Sequence, residues 1–309
     1  MPSLNPFRLK PSLVARIWGR TNLTPWYTDR PAEKIGESWL TGEQCTVEGG
    51  PHAGQTLREL SAAYPEELLG ESKALGEFPL LLKLLFPDDK LSVQVHPNDE
   101  QAAKRNSQGK TECWYVLAAE PGAAVALGFK DPKVTMEQVR EAIEQERLED
   151  LLHYEPVSVG DLVYVDANTV HAIGPGVTLL EVQQTSDITY RLYDYGRPRE
   201  LHLEEGLAVM KAVTAAGKRA PIRKDGFTRL VEERYFNVDR VELAAGATLD
   251  VAAPGKPQCL VLLSGEATLT SEGGDTLVLA PASAVVIPAS AEHAVLKAGS
   301  DCIVVRAIV

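Results

Sequence analysis

The chain is poor in cysteine, and the placement of its few cysteines excludes two kinds of structure. Among its 309 residues are Cys45, Cys113, Cys259 and Cys302. They lie far apart with no Cys-x-x-Cys or Cys/His spacing, so neither a disulfide framework nor a thiolate zinc site is indicated. We therefore expect buried, reduced thiols.

Long apolar runs and an excess of positive charge are also missing. No uninterrupted stretch of about 18 apolar residues occurs, and the first residues contain no apolar core of about 7 to 15 residues such as a secretory leader has. Lysine and arginine are scattered, and the net charge is −12, which argues against a nucleic-acid groove or a basic membrane surface. We expect a cytoplasmic protein that acts on a small molecule.

Short segments rich in β-branched and aliphatic residues make up most of the chain, and Gly, Pro and Asp separate them. Examples are "ECWYVLAA", "DLVYVDA", "QCLVLLSG" and "AVVIPAS". This spacing is typical of antiparallel sheets closed into barrels or sandwiches. The length and ordinary globular composition leave room for two domains. The sequence thus predicts a mainly β fold of two domains.

Helical periodicity is confined to three segments, which we predict to be additions to the β domains. They are "TLRELSAAYPEELLG", which contains Pro65, "TMEQVREAIEQERLEDLL", which begins with a cap-like Thr135, and "RELHLEEGLAVMKAV". A polar, basic bridge at 215–226 separates a long N-terminal part from a shorter part with β patterning only. We place the first domain, with its helical insertion, at 1–220 and the second at 221–309.

A short internal repeat supports two related domains. Setting His171 over His293 aligns "LVYVDANTVHAI" with "AVVIPASAEHAV", and upstream "ECWYVL" resembles "QCLVLL". The interval between these segments is longer in the first copy by about one helix and its connections. Two related barrels, one with a helical insertion, explain the pattern, although generic strand–turn–strand units would match as well.

Every second residue of the segment "KLSVQVHPNDE" is polar up to the turn at Pro97. These polar residues are Lys90, Ser92, Gln94 and His96. Side chains two apart on a strand point the same way, so the four share one face. If that face lines a barrel interior, it is a site rather than a core.

Two further segments supply groups that bind metals. "GKTECWYVL" places Lys110 and Glu112 on one face, and "GDLVYVDANTVHAIG" leads through a strand and a turn to His171. Two imidazoles and a carboxylate from neighbouring strands, with an amide beside them, suit zinc or another borderline divalent ion with an open coordination position. A single histidine on a strand is more often structural; the joint pattern favours a metal site.

The second copy lacks most of these groups. Gln258 aligns with Glu112, and only His293 remains of the potential ligands. One imidazole cannot hold a divalent ion well, so we expect the second domain to be metal-free and structural. In the first copy Arg191 joins Lys90 and Lys110, which implies an anionic substrate. The alternative for Arg191 is a surface ion pair with Asp187, four residues earlier.

Four segments of the chain are together similar to the signature segments of the type I mannose-6-phosphate isomerases. They are "FPLLLKLLFPDDKLSVQVHPND", "GKTECWYVL", "VHAIGPG" and "LEVQQTSDITYRLYDYGR", and "RIWG" and "IGESWL" resemble N-terminal motifs of the same family. The resemblance runs from about Ile17 to Arg197 and suits the short bacterial form. It implies two cupin-type jelly-roll barrels, one zinc ion per chain, and the interconversion of mannose 6-phosphate and fructose 6-phosphate.

The resemblance also implies roles for single residues. The zinc ligands that it carries over are Gln94, His96, Glu112 and His171. Arg191 matches the arginine of the catalytic centre, and Ser92 and Lys110 become candidates for contacts with the phosphate or hydroxyl groups of the substrate. A metal site without Gln94 stays open as an alternative.

Several alternatives for the chemistry stay open at this point. A proton moves between C1 and C2 through an enediolate in such a reaction, and Glu181, Asp187, Lys110 or a metal-bound water is a possible base. Two histidines and a carboxylate also suit an iron dioxygenase or another metal-cupin enzyme. A sugar-phosphate sensor without turnover is the non-enzymatic alternative.

Overall fold

The computed structural model describes residues 4–309, which form 24 β-strands and four α-helices. The strands are β1 (Phe7–Lys10), β2 (Ser12–Arg20), β3 (Ile35–Trp39), β4 (Thr46–Val47), β5 (Leu80–Leu85), β6 (Val93–Val95), β7 (Glu112–Ala119), β8 (Ala124–Phe129), β9 (Leu152–Pro156), β10 (Leu162–Val165), β11 (His171–Ile173), β12 (Val177–Gln184), β13 (Tyr190–Tyr193), β14 (Gly217–Arg219), β15 (Ile222–Arg223), β16 (Thr228–Glu232), β17 (Asn237–Leu243), β18 (Thr248–Asp250), β19 (Gln258–Ser264), β20 (Ala267–Ser271), β21 (Thr276–Leu279), β22 (Ala284–Ile287), β23 (Ala294–Ala298) and β24 (Cys302–Ile308). The helices are α1 (Leu57–Ala63), α2 (Asp99–Ala103), α3 (Met136–Glu144) and α4 (Leu203–Val209), with further π- or 3-10-helical turns at Pro65–Leu69, Gly70–Leu75 and Leu148–Leu151. The mainly β class predicted from the sequence is confirmed.

The strands form four sheets, which are open rather than closed into barrels. In the first unit a seven-stranded sheet, β14-β10-β7-β12-β5-β3-β2, packs on a five-stranded sheet, β13-β6-β11-β8-β9. In the second unit an eight-stranded sheet, β15-β16-β17-β24-β19-β22-β1-β4, packs on a four-stranded sheet, β18-β23-β20-β21. Each unit is therefore a sandwich, the alternative to a closed barrel that the strand spacing leaves open.

Alternation along β7 explains how one strand serves two cores. Cys113 and Tyr115 belong to the apolar cluster between the seven-stranded and eight-stranded sheets, whereas Trp114 and Val116 belong to the interior of the first sandwich. Glu112 is two residues from Trp114 and so points to the interior as well. The same alternation that builds the core thus brings a carboxylate inside the first sandwich.

Helices α1, α3 and α4 lie within the three segments of helical periodicity and outside the sandwich interiors, whereas the sequence did not predict α2. Thr135 caps α3 and forms a capping box with Gln138, and α3 packs with α4 on the outer face of the five-stranded sheet. The first predicted helix stops at Ala63, because Pro65 lacks the N–H that an α-helix requires. All four cysteines are buried and unpaired, as expected.

The N-terminal segment belongs to the sheet of the second unit. Strand β1 pairs with β22 on one side and with β4 on the other, so it extends the eight-stranded sheet. The bridge near residue 217 forms β14, which pairs with β10 at the edge of the first unit. The division at residue 220 stays a prediction. Among residues 4–309, no helix combines the length and the apolar character that crossing a lipid bilayer demands.

Strand pairing supports the internal repeat. Glu112 lies opposite Val165 between β7 and β10, and Gln258 lies opposite Ile287 between β19 and β22. Val165 and Ile287 are equivalent when His171 is set over His293, and Glu112 and Gln258 are equivalent when "ECWYVL" is set over "QCLVLL". The two histidines differ in surroundings, since His171 is fully buried whereas His293 is exposed beside Asp250.

A buried ion pair in the second unit occupies the place of a buried ion pair in the first, with the charges exchanged. In the first unit Lys83 lies opposite Glu181. At the equivalent positions of β17 and β24, Asp239 lies opposite Arg306, and their side chains are 2.7 Å apart. Arg229 also contacts the Asp239 carboxylate.

Replacing Asp239 by Asn should lower the free energy of unfolding by about 3 kcal/mol, because it leaves two guanidinium groups without their shared carboxylate. Urea denaturation measures the loss. Glu232→Gln is the matched control, since that carboxylate contacts Arg229 from the surface and its removal should change stability little. Equal stability of the two variants would contradict a stabilising role for the buried carboxylate.

Candidate metal centre and substrate cavity

Three strands of the first sandwich bring two imidazoles and a carboxylate together. Glu112 and His171 are the first residues of β7 and β11, and His96 directly follows β6. The Glu112 carboxylate lies 3.6 Å from His96 Nε2 and 3.4 Å from His171 Nε2. All three side chains are buried, and their candidate ligand atoms lie within 4.8 Å of one another.

Backbone carbonyls orient both imidazole rings. His96 Nδ1 lies 2.8 Å from the Ile188 carbonyl oxygen, and His171 Nδ1 lies 2.9 Å from that of Thr169. Because a carbonyl only accepts, each Nδ1 donates, and each Nε2, the ring nitrogen near Glu112, keeps its lone pair. His171 Nε2 is buried and has no hydrogen-bond partner among the described residues. This donor set fits a divalent metal ion.

Electrostatics keep both imidazoles neutral, which is the form that binds a metal. Burial and the nearby Lys110 ammonium lower the pKa of His96 well below its usual range. The same two causes lower the pKa of His171 to about 4. Neither ring therefore has to lose a proton near neutral pH before it coordinates a cation.

Lys110 supplies a positive charge next to the three groups. Its ammonium donates to the Glu112 carboxylate and lies 3.0 Å from His96 Nε2. Burial opposes the charge of Lys110, but the carboxylates of Glu112 and Glu181 outweigh it and raise the pKa of this lysine. Lys110 is thus a buried cation next to the candidate metal ligands, and it also lines the neighbouring cavity.

A cavity of about 470 Å³ opens beside the three groups. Ser92, Gln94, Lys110 and Arg191, which the sequence singles out, all contribute to its walls. Gln94 lies opposite His171 in the sheet, on the neighbouring strand β6. The charged lining residues are Arg16, Glu37, Lys83, Lys110, Glu181, Asp187, Arg191 and Arg199. Cations outnumber carboxylates in this lining, so the cavity favours an anionic ligand.

Arg191 lies on β13, opposite Gln94, at the wall of the cavity. One guanidinium nitrogen donates to the Glu200 carbonyl at 2.7 Å, and Nε is buried without a partner among the described residues. No ion pair joins Arg191 to Asp187 among the described residues, so the alternative of a surface ion pair between these two residues finds no support. The Arg191 backbone N–H donates to His202 Nδ1 at 3.2 Å, a contact that the sequence did not indicate.

The expectation that Lys90 adds positive charge to this cavity is wrong. Strand β6 begins only at Val93, so the alternation does not extend back to Lys90. Its ammonium lies 2.6 Å from Glu149 and over the ring of Tyr195, away from the cavity. Gln94, which belongs to β6, and Ser92, which directly precedes this strand, do line the cavity.

The sequence did not predict the ion pair between Lys83 and Glu181, both of which line the cavity. Lys83 lies 3.4 Å from Glu181, and both side chains are almost fully buried. Trp114 also donates to Glu181, at 3.2 Å. A signal for this pair exists, because Lys83 is the one charged residue of β5, "LLLKLL", and a lysine in a fully buried strand requires a partner.

A second pair on the cavity wall comes from the N-terminal motifs. Arg16 donates twice to Glu37, at 3.0 Å each, and Trp39 donates to the same carboxylate at 2.7 Å. Burial opposes the charge of Glu37, but Lys83 and Arg16 outweigh it and lower its pKa. These residues lie in "RIWG" and "IGESWL", which therefore bear on the site directly.

Comparisons with known proteins identify relatives that match most of the chain. The family description "phosphomannose isomerase type I, catalytic domain" matches residues 6–130. The chain is 36% identical to the mannose-6-phosphate isomerase ManA of Bacillus subtilis over 296 residues, which cover 89% of this chain and 92% of the relative. It is also 36% identical to the mannose-6-phosphate isomerase of Streptococcus mutans over 264 residues, covering 81% and 82% of the two chains.

Solved structures extend the likeness to the whole fold. The crystal structure of the mannose 6-phosphate isomerase from Bacillus subtilis superposes with a TM-score of 0.85 at 29% identity, covering 98% of this chain and 99% of the other. A putative mannosephosphate isomerase from Archaeoglobus fulgidus shares the fold at a TM-score of 0.80. The resemblance seen in the signature segments is confirmed, and the chain belongs to the type I phosphomannose isomerase family.

Proposed function

We propose that this protein is a mannose-6-phosphate isomerase that uses one bound divalent ion, Zn²⁺ in the first instance. The observation that carries the proposal is the buried His96–Glu112–His171 group beside a cavity lined by an excess of cations. The relatives are named for mannose 6-phosphate, and the product in this proposal is its ketose isomer, fructose 6-phosphate.

The metal ligands in this proposal are His96, Glu112 and His171, with the Gln94 amide as a fourth. Imidazole, carboxylate and amide groups suit zinc and leave room for a substrate oxygen. The ion would act as a Lewis acid on the sugar oxygens, which is worth several kcal/mol of transition-state stabilisation. His171 Nε2, which has no hydrogen-bond partner among the described residues, supports this assignment, because a buried nitrogen without a partner is costly unless it binds something.

The cations of the cavity hold the anionic substrate in this proposal. Arg191 is the catalytic cation, placed to stabilise the negative charge that develops on the sugar as the enediolate forms. Among the described residues only one terminal nitrogen of its guanidinium has a hydrogen-bond partner, the Glu200 carbonyl, so the group keeps donors for that charge. Ser92 and Lys110 contact hydroxyl groups or the phosphate, since both line the cavity next to the metal ligands.

Glu181 is the group best suited to move the proton between C1 and C2. It lines the cavity, and burial together with the neighbouring Glu112 raises its pKa despite the opposing charges of Lys110 and Lys83. A carboxylate with a raised pKa is the stronger base. Asp187, exposed at the cavity, is the alternative.

A coupled assay tests the proposed reaction. Mannose 6-phosphate is supplied, and formation of fructose 6-phosphate is followed through glucose-6-phosphate isomerase and a dehydrogenase. We expect turnover with mannose 6-phosphate and little with mannose, because the cationic lining recognises the phosphate. Binding of mannose 6-phosphate without turnover would instead establish a sensor, and iron with consumption of oxygen would establish a dioxygenase.

A further inference from the structure

Gln183 is the last inward-facing residue of β12 and lies beside the metal centre. It is fully buried, and it lies directly opposite Glu112 across the pair of strands β12 and β7. Side chains in opposite positions of an antiparallel pair lie about 5 Å apart at Cβ. Gln183 therefore shares the interior of the first sandwich with the proposed ligand Glu112.

The Gln183 amide binds the turn that follows its own strand. Its Nε2 donates to the Gln184 carbonyl at 2.9 Å and to the Ser186 carbonyl at 2.6 Å. Both amide hydrogens are thus used on backbone oxygens within three residues. The Ser186 hydroxyl adds a bond to the Gln108 carbonyl, at 2.9 Å. Gln183 therefore sets the conformation of the turn up to Ser186.

The next residues of this turn carry the carbonyl that orients His96. The Ile188 carbonyl accepts from His96 Nδ1 at 2.8 Å. Between Ser186 and the start of β13 at Tyr190, none of the described residues donates a backbone N–H to another backbone carbonyl. The Ile188 side chain packs on the apolar cluster at the outer face of the five-stranded sheet. The position of its carbonyl therefore depends on that packing and on the two ends of this stretch, and Gln183 holds one of those ends.

We infer that Gln183 is a positioning residue for His96. Its amide holds the turn so that the Ile188 carbonyl keeps the proton of His96 on Nδ1 and leaves Nε2 free for a metal. This inference rests on the proposed metal centre. Partners that orient a metal-binding histidine typically contribute about 10-fold to 100-fold in metal affinity.

Gln183→Met tests the inference, because methionine keeps an unbranched side chain of similar length and removes both donors. We expect the dissociation constant for Zn²⁺, measured by competition with a chromophoric chelator, to rise about 10-fold to 100-fold. Gln258→Met is the matched control: Gln258 is an equally buried glutamine in the second unit, with no partner for either amide atom among the described residues. Its zinc affinity should equal that of the wild type.

A spectroscopic readout separates positioning from a general loss of structure. In the metal-free protein, ¹⁵N NMR should show the His96 proton on Nδ1 in the wild type. In Gln183→Met it should show a mixture of two neutral tautomers, one with the proton on Nδ1 and one with the proton on Nε2. Gln183→Asn, whose shorter amide cannot reach the two carbonyls, should behave alike if the methionine variant does not fold. Wild-type zinc affinity with an unchanged His96 tautomer would overturn the inference. Failure of the wild type itself to bind zinc would instead overturn the proposed function, while the tautomer still tests the role of Gln183.

Discussion

Glu112→Gln should remove the bound metal ion and the isomerase activity together. The carboxylate lies near both histidines, and it is the only anionic group among the four proposed ligands. Glutamine has the same shape without the charge, so it fills the space but gives up most of the attraction for a divalent cation. We expect zinc affinity to fall by more than about 100-fold, because removing a ligand should cost more than removing a hydrogen-bond partner of a ligand, which typically costs about 10-fold to 100-fold.

Turnover should fall by about 1000-fold or more in the same variant. Loss of a Lewis acid worth several kcal/mol corresponds to a change of this size. Metal content after dialysis and the coupled assay measure the two effects. Glu149→Gln, which removes a carboxylate paired with Lys90 on the surface, should retain both. Full activity in a metal-free Glu112→Gln protein would refute the proposed centre.

Arg191→Ala should leave the metal in place while kcat falls by about 100-fold to 1000-fold, the usual cost of losing one preorganised donor. The guanidinium lines the cavity, but the ligand atoms are held by the sheet and by the carbonyls of Ile188 and Thr169. Metal content and kcat therefore separate in this variant, whereas they fall together in Glu112→Gln.

The control for this prediction is Arg140→Ala, which removes an exposed arginine that pairs with Glu204 on the helical surface. It should change neither metal content nor kcat. If Arg191→Ala loses its metal as well, Arg191 has a structural role instead of a catalytic one. A rise in KM with kcat unchanged would assign it to binding of the substrate alone.

The sequence predicted the metal-centre group well because the argument used short-range geometry. Within a strand the side-chain direction repeats every two residues, so Glu112 could be assigned to an inward face from its own segment. The histidines followed from strand–turn patterns of the same kind. Lys90 shows the limit of this reasoning, since alternation holds only inside the strand, and β6 begins three residues later.

Contacts between distant segments could not be predicted from the sequence, because they depend on the register in which the strands pair. The pair Lys83–Glu181 requires the alignment of β5 with β12, which no local pattern specifies. The role of Gln183 depends in the same way on its pairing with Glu112 and on the path of a turn. The placement of β1 in the sheet of the second unit is a third case, since an isolated strand does not indicate its partner.

Removal and return of the metal test the central claim most directly. The wild-type protein is treated with a chelator, dialysed, and assayed with mannose 6-phosphate before and after addition of one equivalent of Zn²⁺. We expect turnover to disappear with the metal and to return in proportion to the zinc bound, up to one ion per chain. Undiminished turnover in protein that contains no divalent metal would contradict a metal centre at His96, Glu112 and His171.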